Sequence, residues 1–409
     1  MAGGQGTIGA VPHSVDNSEP PRDRMLRTAL RVAGTIRAGS LTVVMPDGRH
    51  HAVTASAAPA ATIMLKDPRA VARLMTGGSL GFAQAYVDGL WDSPDIGAVM
   101  ALAAANEIEW RSMLKGGRRT RLMSRLRRRP RHDITEHYDL GSAFYAAWLD
   151  PTMSYSSAVF EGPDDTLEAA QLRKIHRMCQ KLQLAPGMRL LEIGCGWGAF
   201  AEVAARDYGV SVLGVTLSPA QLASAQAHVE RAGLASRVEL RLQDYRDVEG
   251  RFDRIASIEM FEALGERHWG AFFGAVRARL HNHGVAGLQV ITIEDRLFDS
   301  YRATPDFVRR HIVPGGTLPS RRRLAKAIGR AGLALGHEEW FGPDYARTLA
   351  IWQDAFQAAW PRIVAATALN RHPADDRFKR IWEYYLAYCR IGFAAGWTDV
   401  GHILIARNG

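Results

Sequence analysis

The sequence predicts an α/β fold: a doubly wound, mostly parallel sheet of seven strands with helical lid insertions, preceded by a smaller mixed α+β domain. Strand-like and helical stretches alternate from residue 134 to residue 409, which is typical of a largely parallel sheet with helices on both faces. A glycine-rich turn follows the first of these strands. The 409 residues, 47% of them hydrophobic and 23% charged, are enough for two or three domains with sizeable cores.

The strands of the large domain are predicted from short apolar runs, taken in chain order. They are residues 189–193, 210–216, 238–242, 253–258, 285–293, 335–340 and 399–406. Helical stretches lie between them, for example at residues 219–231 and 267–280. Long insertions follow the fifth and sixth strands. The second insertion, residues 345–396, is rich in aromatic side chains, which suit either a core or a pocket for a long apolar chain.

Three shorter segments precede this large domain. Residues 1–24 lack an apolar signal core and are predicted to be a disordered lead-in. Residues 25–110 form the smaller domain, in which residues 41–44 and 51–54 read as a hairpin with Asp-Gly turn chemistry. Its segment GSLGFAQAYVDGLWD, residues 78–92, has apolar side chains at helical spacing and is interpreted as a helix packed on its own domain.

A strongly basic linker, residues 111–133, separates the two domains. It holds ten Lys or Arg and no Asp or Glu before residue 132: Arg111, Lys115, Arg118, Arg119, Arg121, Arg125, Arg127, Arg128, Arg129 and Arg131. Two interpretations remain open, a solvated linker and a basic amphipathic segment on anionic lipid headgroups. No recognisable nucleic-acid module accompanies the charge, so no nucleic-acid partner is expected.

Bulk composition favours a reducing compartment and excludes a membrane span. Cys179, Cys195 and Cys389 show neither disulfide nor metal-ligand spacing, which fits reduced thiols in a cytoplasm and predicts no metal site. No apolar run approaches the roughly 18 residues of a membrane-spanning helix. We therefore expect a cytoplasmic protein whose membrane contact is peripheral. The formal net charge of +9 is consistent with an anionic surface as its partner.

The stretch LLEIGCGWG, residues 190–198, is the strongest single motif. Gly194, Gly196 and Gly198 give the spacing G-x-G-x-G, not the G-x-G-x-x-G of a dinucleotide site. Glycines at a strand-to-helix turn let the backbone approach a nucleoside closely, so the motif favours S-adenosylmethionine over NAD. Taken alone, it is also compatible with an ordinary glycine-rich turn.

Further motifs occur in a fixed order along the chain. On these motifs the chain resembles the cyclopropane-fatty-acyl-phospholipid synthase family of methyltransferases. The motifs are GSLGFAQAYVDGLWD, HYDLGSAFYAAWLDPTMSYSSAVF, LEIGCGWG, VTLSPAQ, LQDYRD, IEMFEALG, VPGGTLPS and GPDYARTL. The resemblance covers most of the chain and implies the class I methyltransferase type of fold for residues 134–409.

The resemblance also implies a cofactor site for S-adenosylmethionine. In it, Gly194, Gly196 and Gly198 line the cofactor, Tyr155 and Ser156 contact its methionine end, Thr216 and Gln221 meet the ribose, and Asp244 and Tyr245 meet the adenine. A carboxylate at residue 244 suits the adenine amino group, which is a donor. Simpler interpretations stay open for two of these positions: a turn for Asp244 and a helix cap for Thr216.

The reaction implied is methylation of a cis double bond in an acyl chain. Methyl addition leaves a cation, and the family is understood to hold bicarbonate as the base that removes a proton and closes a cyclopropane ring. Here Ser157 and Ile291 stand where the family usually has Cys and His, while Glu262 and Tyr345 are retained. The catalytic residues implied are therefore Ser157, Glu262 and Tyr345.

Two outcomes follow for the cation. In the first, Ser157, Glu262, Tyr345 and the Ile293 backbone still hold bicarbonate, and the product is a cyclopropane. In the second, proton loss elsewhere gives a methylene-branched chain, which a reductase partner would convert to a methyl branch. The leading substrate is an unsaturated phospholipid, with a free fatty acid or another apolar metabolite as the alternative. A non-catalytic lipid-binding protein and a homodimer also remain open.

Overall fold

The computed structural model describes residues 24–107, 140–304, 306–367 and 374–407. These residues fall into two compact units, one on each side of the gap at residues 108–139. The basic linker predicted at residues 111–133 and all but the last residue of the lead-in predicted at residues 1–24 lie outside the described residues. That last residue, Arg24, begins a helix. Within the described ranges, no helix is both long and apolar enough to span a membrane.

The first unit is a four-stranded sheet with flanking helices. Its elements in order are α1 (Arg24–Ala33), β1 (Ser40–Val44), β2 (His50–Thr54), β3 (Ala60–Leu65), α2 (Arg69–Val87), β4 (Trp91–Asp92) and α3 (Ile96–Ala105). The sheet order is β2-β1-β3-β4. The predicted hairpin is confirmed, because β1 and β2 pair antiparallel with Val44 opposite His50. The sequence analysis missed β3, which pairs parallel to β1.

The second unit alternates strands and helices as predicted. Its first elements are α4 (Ser142–Ala146), α5 (Leu167–Lys181), β5 (Arg189–Ile193), α6 (Ala199–Tyr208), β6 (Ser211–Thr216), α7 (Pro219–Arg231), β7 (Val238–Leu242) and β8 (Phe252–Ile258). They are followed by α8 (Trp269–Arg279), β9 (Leu280–Ile293), α9 (Asp295–Ala303), α10 (Phe307–His311), α11 (Arg321–Arg330), β10 (Leu333–Trp340), α12 (Gly342–Thr367), α13 (Asp376–Ala394) and β11 (Thr398–Arg407).

The sheet of this unit has seven strands in the order β10-β11-β9-β8-β5-β6-β7. Strands β5 to β9 run parallel, and β11 pairs antiparallel with both β9 and β10. The predicted seven-stranded, mostly parallel sheet is therefore confirmed. Strand β9 begins at Leu280 instead of residue 285, because Leu280 pairs with Phe252 at the start of β8. The polar residues 281–284 concealed this extension.

Strand β5 lies inside the sheet, between β8 and β6, and both of its faces are covered. Leu190 and Leu191 are consecutive, point to opposite faces, and are both 0% exposed. Leu191 belongs to one apolar cluster with Phe272, and Leu190 to another with Phe200. Because parallel strands end at the same edge, the turns after β5, β6, β7 and β8 lie side by side at the edge where such sheets bind ligands.

The aromatic insertion between β10 and β11 forms α12 and α13, which pack against each other. Of the two interpretations of these aromatic side chains, a core or a pocket, most of the rings fit the core. Trp352, Phe356 and Trp382 are 0–2% exposed. They join an aromatic cluster with Trp148, whose ring centroid lies 5.8 Å from that of Trp352. Helix α12 begins at the carboxyl edge of the sheet, so it brings the residues of its first turn to that edge.

Candidate active site

The turn after β5 holds three glycines with left-handed backbones: φ is 88° at Gly194, 52° at Gly196 and 94° at Gly198. A Cβ on Gly194 would lie 2.9 Å from the Met260 side chain, and one on Gly198 would lie 3.3 Å from Ala225. Both positions are therefore glycine for close packing. A Cβ on Gly196 would meet nothing within 4 Å. Gly196 is thus the position at which the turn faces open space, and the one that suits a ligand approaching the backbone.

The turn after β6 brings Thr216 and Gln221 together. The Thr216 hydroxyl donates to Gln221 Oε1 at 3.2 Å, and both side chains are buried. Ser218 caps α7, because its Oγ accepts from the N–H of Gln221. Leu217 directly follows β6 and Leu242 ends the neighbouring β7, and these side chains are 59% and 53% exposed. Sequence reasoning did not single out this pair, which offers an apolar surface to a flat nucleoside base.

Asp244 and Tyr245 follow β7 and are both engaged with their own surroundings. The Asp244 carboxylate accepts from the Arg246 N–H and forms a 2.6 Å ion pair with the Arg246 guanidinium. This hydrogen-bonded pairing lowers the pKa of Asp244. The Tyr245 ring packs edge-on against Phe272, with centroids 5.5 Å apart. The turn interpretation of Asp244 is thus present in the structure, and its carboxylate lies at the same edge as the glycine turn.

The loop before α5 places Tyr155 and Ser156 near buried charge. The Tyr155 hydroxyl shares a 2.9 Å hydrogen bond with the hydroxyl of Tyr385 on α13. The Lys174 ammonium donates to Oγ of Ser156 at 2.7 Å. Lys174 is only 2% exposed, and burial lowers its pKa to about 8 against the opposing charges of Glu259, Asp150 and Glu192. The sequence carried no signal for a buried lysine on α5.

A carboxylate that sequence reasoning missed lies at the centre of the site. Glu259 directly follows β8, and three donors converge on it. Its Oε1 accepts from the Ser157 N–H at 2.8 Å and from Gln289 Nε2 at 2.7 Å. Its Oε2 accepts from the Tyr345 hydroxyl at 2.7 Å. The structure therefore brings together Ser157 and Tyr345, two of the three predicted catalytic residues, around an acid that was not predicted.

Behind Glu259, Gln289 is oriented by a buried histidine. Gln289 Nε2 donates to Glu259 and to the Ser157 carbonyl, so its Oε1 faces Nε2 of His402 at 2.9 Å. His402 is 0% exposed, and burial lowers its pKa to about 3, so the ring is neutral. Nε2 must then carry the proton, because it faces an acceptor. This chain of hydrogen bonds fixes the amide so that it donates to Glu259.

Glu262, the third predicted catalytic residue, lies one turn further along and has a different environment. Its Oε1 accepts from the Ile291 N–H, while its Oε2 is buried and has no hydrogen-bond partner among the described residues. Burial, and secondarily the charge of Glu259, raises the pKa of Glu262 to about 8. Burial also raises the pKa of Glu259, but its three donors and Lys174 oppose that shift. The two acids therefore differ in protonation, with Glu259 favoured as the anion and Glu262 as the neutral acid.

The sequence did contain a signal for Glu259. It stands three residues before Glu262 in IEMFEALG, directly after a predicted strand, where parallel sheets place functional side chains.

Among the described residues, no group of three or more His, Cys, Asp and Glu side chains is arranged to hold a metal ion.

Comparison with known proteins gives consistent matches. The sequence model of the family described as mycolic acid cyclopropane synthetase matches residues 125–403. The cyclopropane-fatty-acyl-phospholipid synthase of Escherichia coli strain K12 is 37% identical over 358 residues, which cover 85% of this chain and 88% of that protein. The tuberculostearic acid methyltransferase UfaA1 of Mycobacterium tuberculosis is 34% identical over 386 residues, which cover 90% of this chain and 88% of that protein.

A solved structure agrees with these sequence matches. The mycolic acid cyclopropane synthase CmaA1, complexed with SAH and CTAB, is 33% identical and superposes with a TM-score of 0.61. The superposition covers 66% of this chain and 96% of that one.

Proposed function

Because this chain belongs to the mycolic acid cyclopropane synthetase family, we propose that it transfers a methyl(ene) carbon from S-adenosylmethionine to an unsaturated phospholipid. The carbon goes to a cis double bond of an acyl chain, and the product is a cyclopropane ring. The match to the E. coli synthase, 37% identical over 85% of this chain, carries the proposal. Dependence on S-adenosylmethionine is a property of the family, and the open position at Gly196 suits that ligand.

The chemistry explains what this chain's residues contribute. S-adenosylmethionine supplies its methyl group as an electrophile on a sulfonium. The alkene is a weak nucleophile and needs no base for this first step, so the protein must align the two groups and exclude water. The turn at Gly196, with Thr216 and Gln221, would hold the cofactor at the carboxyl edge. Tyr155 and Ser156 would hold its methionine end, on the side of Lys174.

The same edge provides for the positive charge that develops on the acyl chain. Glu259 is a buried acid held by three donors, and Glu262 is a buried acid with one unpartnered oxygen. A carboxylate in a dry site stabilises a cation more strongly than it would in water. We place Glu259 here as the carboxylate that stabilises this charge, with Tyr345 as its hydrogen-bond donor and Glu262 as a neutral acid beside it.

We further propose that the enzyme works at an anionic bilayer surface. The ten cations between residues 111 and 131 support this, because each Lys or Arg near an anionic membrane contributes about 1 kcal/mol of binding. The small domain at residues 25–110 and the linker both suit a headgroup-bearing surface, which favours a phospholipid over a free fatty acid as substrate.

A methylene-branched product is the second candidate. Ser157 and Ile291 replace the Cys and His that the resemblance leads one to expect at the base site. The relatives bear names of both kinds, a cyclopropane synthase and a tuberculostearic acid methyltransferase. A methylene product would require a separate reductase before a methyl branch appeared.

The test uses the purified chain, S-adenosylmethionine, and vesicles of cis-monounsaturated phospholipid beside matched saturated ones. We expect S-adenosylhomocysteine to form only with the unsaturated lipid, and each modified acyl chain to gain one CH₂. Ring and methylene products share a mass, but mild hydrogenation adds two hydrogens only to the methylene product. Turnover on free fatty acid alone would show that the substrate is a free fatty acid and not a phospholipid. No turnover on any lipid would favour the interpretation as a non-catalytic lipid-binding protein.

A further inference from the structure

Three of the four groups that the resemblance assigns to a bound bicarbonate ion are already engaged within this protein: Ser157, Tyr345 and the Ile293 backbone. The fourth, Glu262, keeps one oxygen without a hydrogen-bond partner among the described residues, and one group alone does not hold an anion. The Ser157 hydroxyl donates to the carbonyl of Ala158 at 3.0 Å. The Ser157 N–H and the Tyr345 hydroxyl both donate to Glu259. The N–H of Ile293 donates to the carbonyl of Pro319 at 2.9 Å. An anion with three oxygens needs donors of this kind, and none of these is free to serve it. The residues present therefore do not fit bicarbonate.

The place of such an anion is taken by a side chain of the protein. A carboxylate and a bicarbonate ion are both planar oxyanions that accept from N–H and O–H donors. Three donors within 2.7–2.8 Å of the Glu259 oxygens use most of the four lone-pair positions of a carboxylate. One position remains to accept a proton. The buried ammonium of Lys174 adds a charge that favours the ionised form of Glu259.

The backbone at Glu259 indicates that this placement is maintained against a local preference. Its φ is +46°, in the left-handed region that glycine adopts freely and that a glutamate rarely does. A residue holds such a conformation when surrounding contacts overcome a cost of order 1–3 kcal/mol, and such residues cluster at functional sites. Here the contacts are the three donors at the carboxylate and the bond from the Glu259 N–H to the Gln289 carbonyl at 2.9 Å.

Glu259 also lies next to the cofactor turn. Strands β5 and β8 are neighbours, and the residue after Glu259, Met260, is the one that a Cβ on Gly194 would strike. The loop of Ser156 and Ser157 also contacts this carboxylate, through the Ser157 N–H at 2.8 Å. A methyl group delivered at the glycine turn would therefore be transferred beside this carboxylate.

We propose that Glu259 is the catalytic base of the reaction and that this enzyme uses its own carboxylate in place of a bound bicarbonate ion. The inference rests on the proposed methyl transfer. The C–S bond breaks as the alkene π pair forms a C–C bond to the methyl, and the neighbouring carbon becomes a cation. A C–H bond of the new methyl then breaks. Its electron pair closes the ring as a second C–C bond, and the proton passes to Glu259.

The first test needs no variant. Turnover of the wild-type enzyme on unsaturated phospholipid vesicles is measured in buffer stripped of CO₂ and bicarbonate, and again with bicarbonate added. We expect equal kcat in the two conditions. A wild-type rate that disappears in the stripped buffer and returns with bicarbonate overturns the proposal. If no S-adenosylmethionine is consumed in either condition, the methyl transfer itself fails, which is a separate result.

The second test replaces the base. Glu259→Gln keeps the shape of the side chain, and should lower kcat on the order of a thousandfold while calorimetry shows unchanged affinity for S-adenosylmethionine. Glu259→Gly suits the φ of +46° and opens the anion position, so added bicarbonate should restore turnover in proportion to its concentration. The matched control, Glu262→Gln, keeps Glu259 and should gain nothing from bicarbonate.

Two results of the second test would overturn the proposal. One is a Glu259→Gln variant with the wild-type kcat. The other is a Glu259→Gly variant that binds S-adenosylmethionine but is not rescued by bicarbonate.

Discussion

The Tyr345 hydroxyl donates a 2.7 Å hydrogen bond to Oε2 of Glu259, joining residues 86 positions apart in the sequence. Tyr345 lies in the first turn of α12, and Glu259 follows β8 directly. The aromatic insertion is therefore tied to the carboxyl edge of the sheet at the acid itself. A change in how α12 begins is a change in the environment of that acid, which makes the insertion part of the site and not only a cover over it.

The glycine turn gives the first prediction. Gly196→Val directs a branched side chain into the open space at this position, and we expect calorimetry to show a sharp loss of affinity for S-adenosylmethionine. Valine at φ 52° is also strained, so the control is Gly233→Val. Gly233 has φ 69° and an equally open Cβ position, but it follows α7, away from the turn. Equal losses in both variants would assign the effect to backbone strain and remove Gly196 from the binding site.

Asp244 gives the second prediction. If its carboxylate accepts from the adenine amino group, Asp244→Ala should weaken S-adenosylmethionine binding by roughly tenfold or more, as expected for a hydrogen bond to a charged group. The control is Arg246→Gln, which removes the ion pair at 2.6 Å but keeps the acceptor. Binding should survive that change. If Arg246→Gln weakens binding as much as Asp244→Ala does, the turn itself is what matters and not the carboxylate.

The third prediction concerns stability and the buried acid Glu262. Its pKa is raised to about 8, so the folded state holds a proton that the unfolded state releases near pH 4.5. The free energy of unfolding should therefore fall as pH rises from about 4.5 to 8, by up to roughly 5 kcal/mol at ~1.4 kcal/mol per pKa unit. Glu262→Gln removes this contribution, so urea unfolding of the variant should depend less steeply on pH across this window.

Other titratable groups also contribute to the pH dependence of stability in the Glu262→Gln experiment. Burial raises the pKa of Glu192 to about 8 as well, so part of the dependence of the unfolding free energy on pH remains in the variant. Lys174 acts in the window above pH 8, outside the range measured. The exposed Glu230→Gln serves as the control and should leave the slope unchanged. Identical slopes for Glu262→Gln and the wild type would mean that Glu262 is ionised in the folded protein.

The basic linker gives the fourth prediction, from charge alone. The chain should sediment with anionic phospholipid vesicles and be released as salt rises, because exposed charges are screened over a Debye length of about 8 Å at physiological ionic strength. Replacement of the arginines between residues 111 and 131 by Gln should abolish this binding. Equal binding to neutral and anionic vesicles would exclude an electrostatic role for the linker.

The sequence predicted the sheet well because strand signals are local. Runs such as residues 189–193 and 238–242 are short, apolar and bounded by turn residues, and the structure has these two strands with the same limits. Strand β3 was missed because AATIML follows a stretch of small residues. It pairs parallel with β1, so no tight turn between the two strands marks the pairing in the sequence. Residues 281–284 were read as a loop because they are polar, yet they continue β9.

The site was harder to predict because its centre is a convergence of distant residues. The resemblance to the family implied Glu262, Tyr345 and Ser157, and the structure brings the latter two to one carboxylate. The carboxylate itself, Glu259, looks in the sequence like one more acid at a strand end. Its role depends on donors 30 and 102 positions away and on a lysine buried on another helix, and neither periodicity nor spacing encodes these relationships.

The fifth prediction tests the Tyr345 bond through the pH dependence of turnover. A base must be ionised to act, so kcat should rise with pH through the pKa of Glu259. Glu259 is faced by Tyr345 on α12, Gln289 on β9, Lys174 on α5 and the neighbouring Glu262. The first three of these favour its ionised form, and a like charge on Glu262 would oppose it.

Tyr345→Phe removes one donor and leaves the other groups in place. The pKa of Glu259 should then rise, and the acid limb of the kcat profile should move to higher pH by about one unit, the equivalent of losing one hydrogen bond to a charged group. Affinity for S-adenosylmethionine should not change, because Tyr345 acts on the base. The control is Tyr384→Phe, a buried tyrosine of α13 that packs against Phe307 with ring centroids 4.4 Å apart. Its profile should match the wild type. If Tyr345→Phe lowers kcat equally at every pH, the tyrosine does not act through the ionisation of Glu259, and the hydrogen bond between them serves only packing.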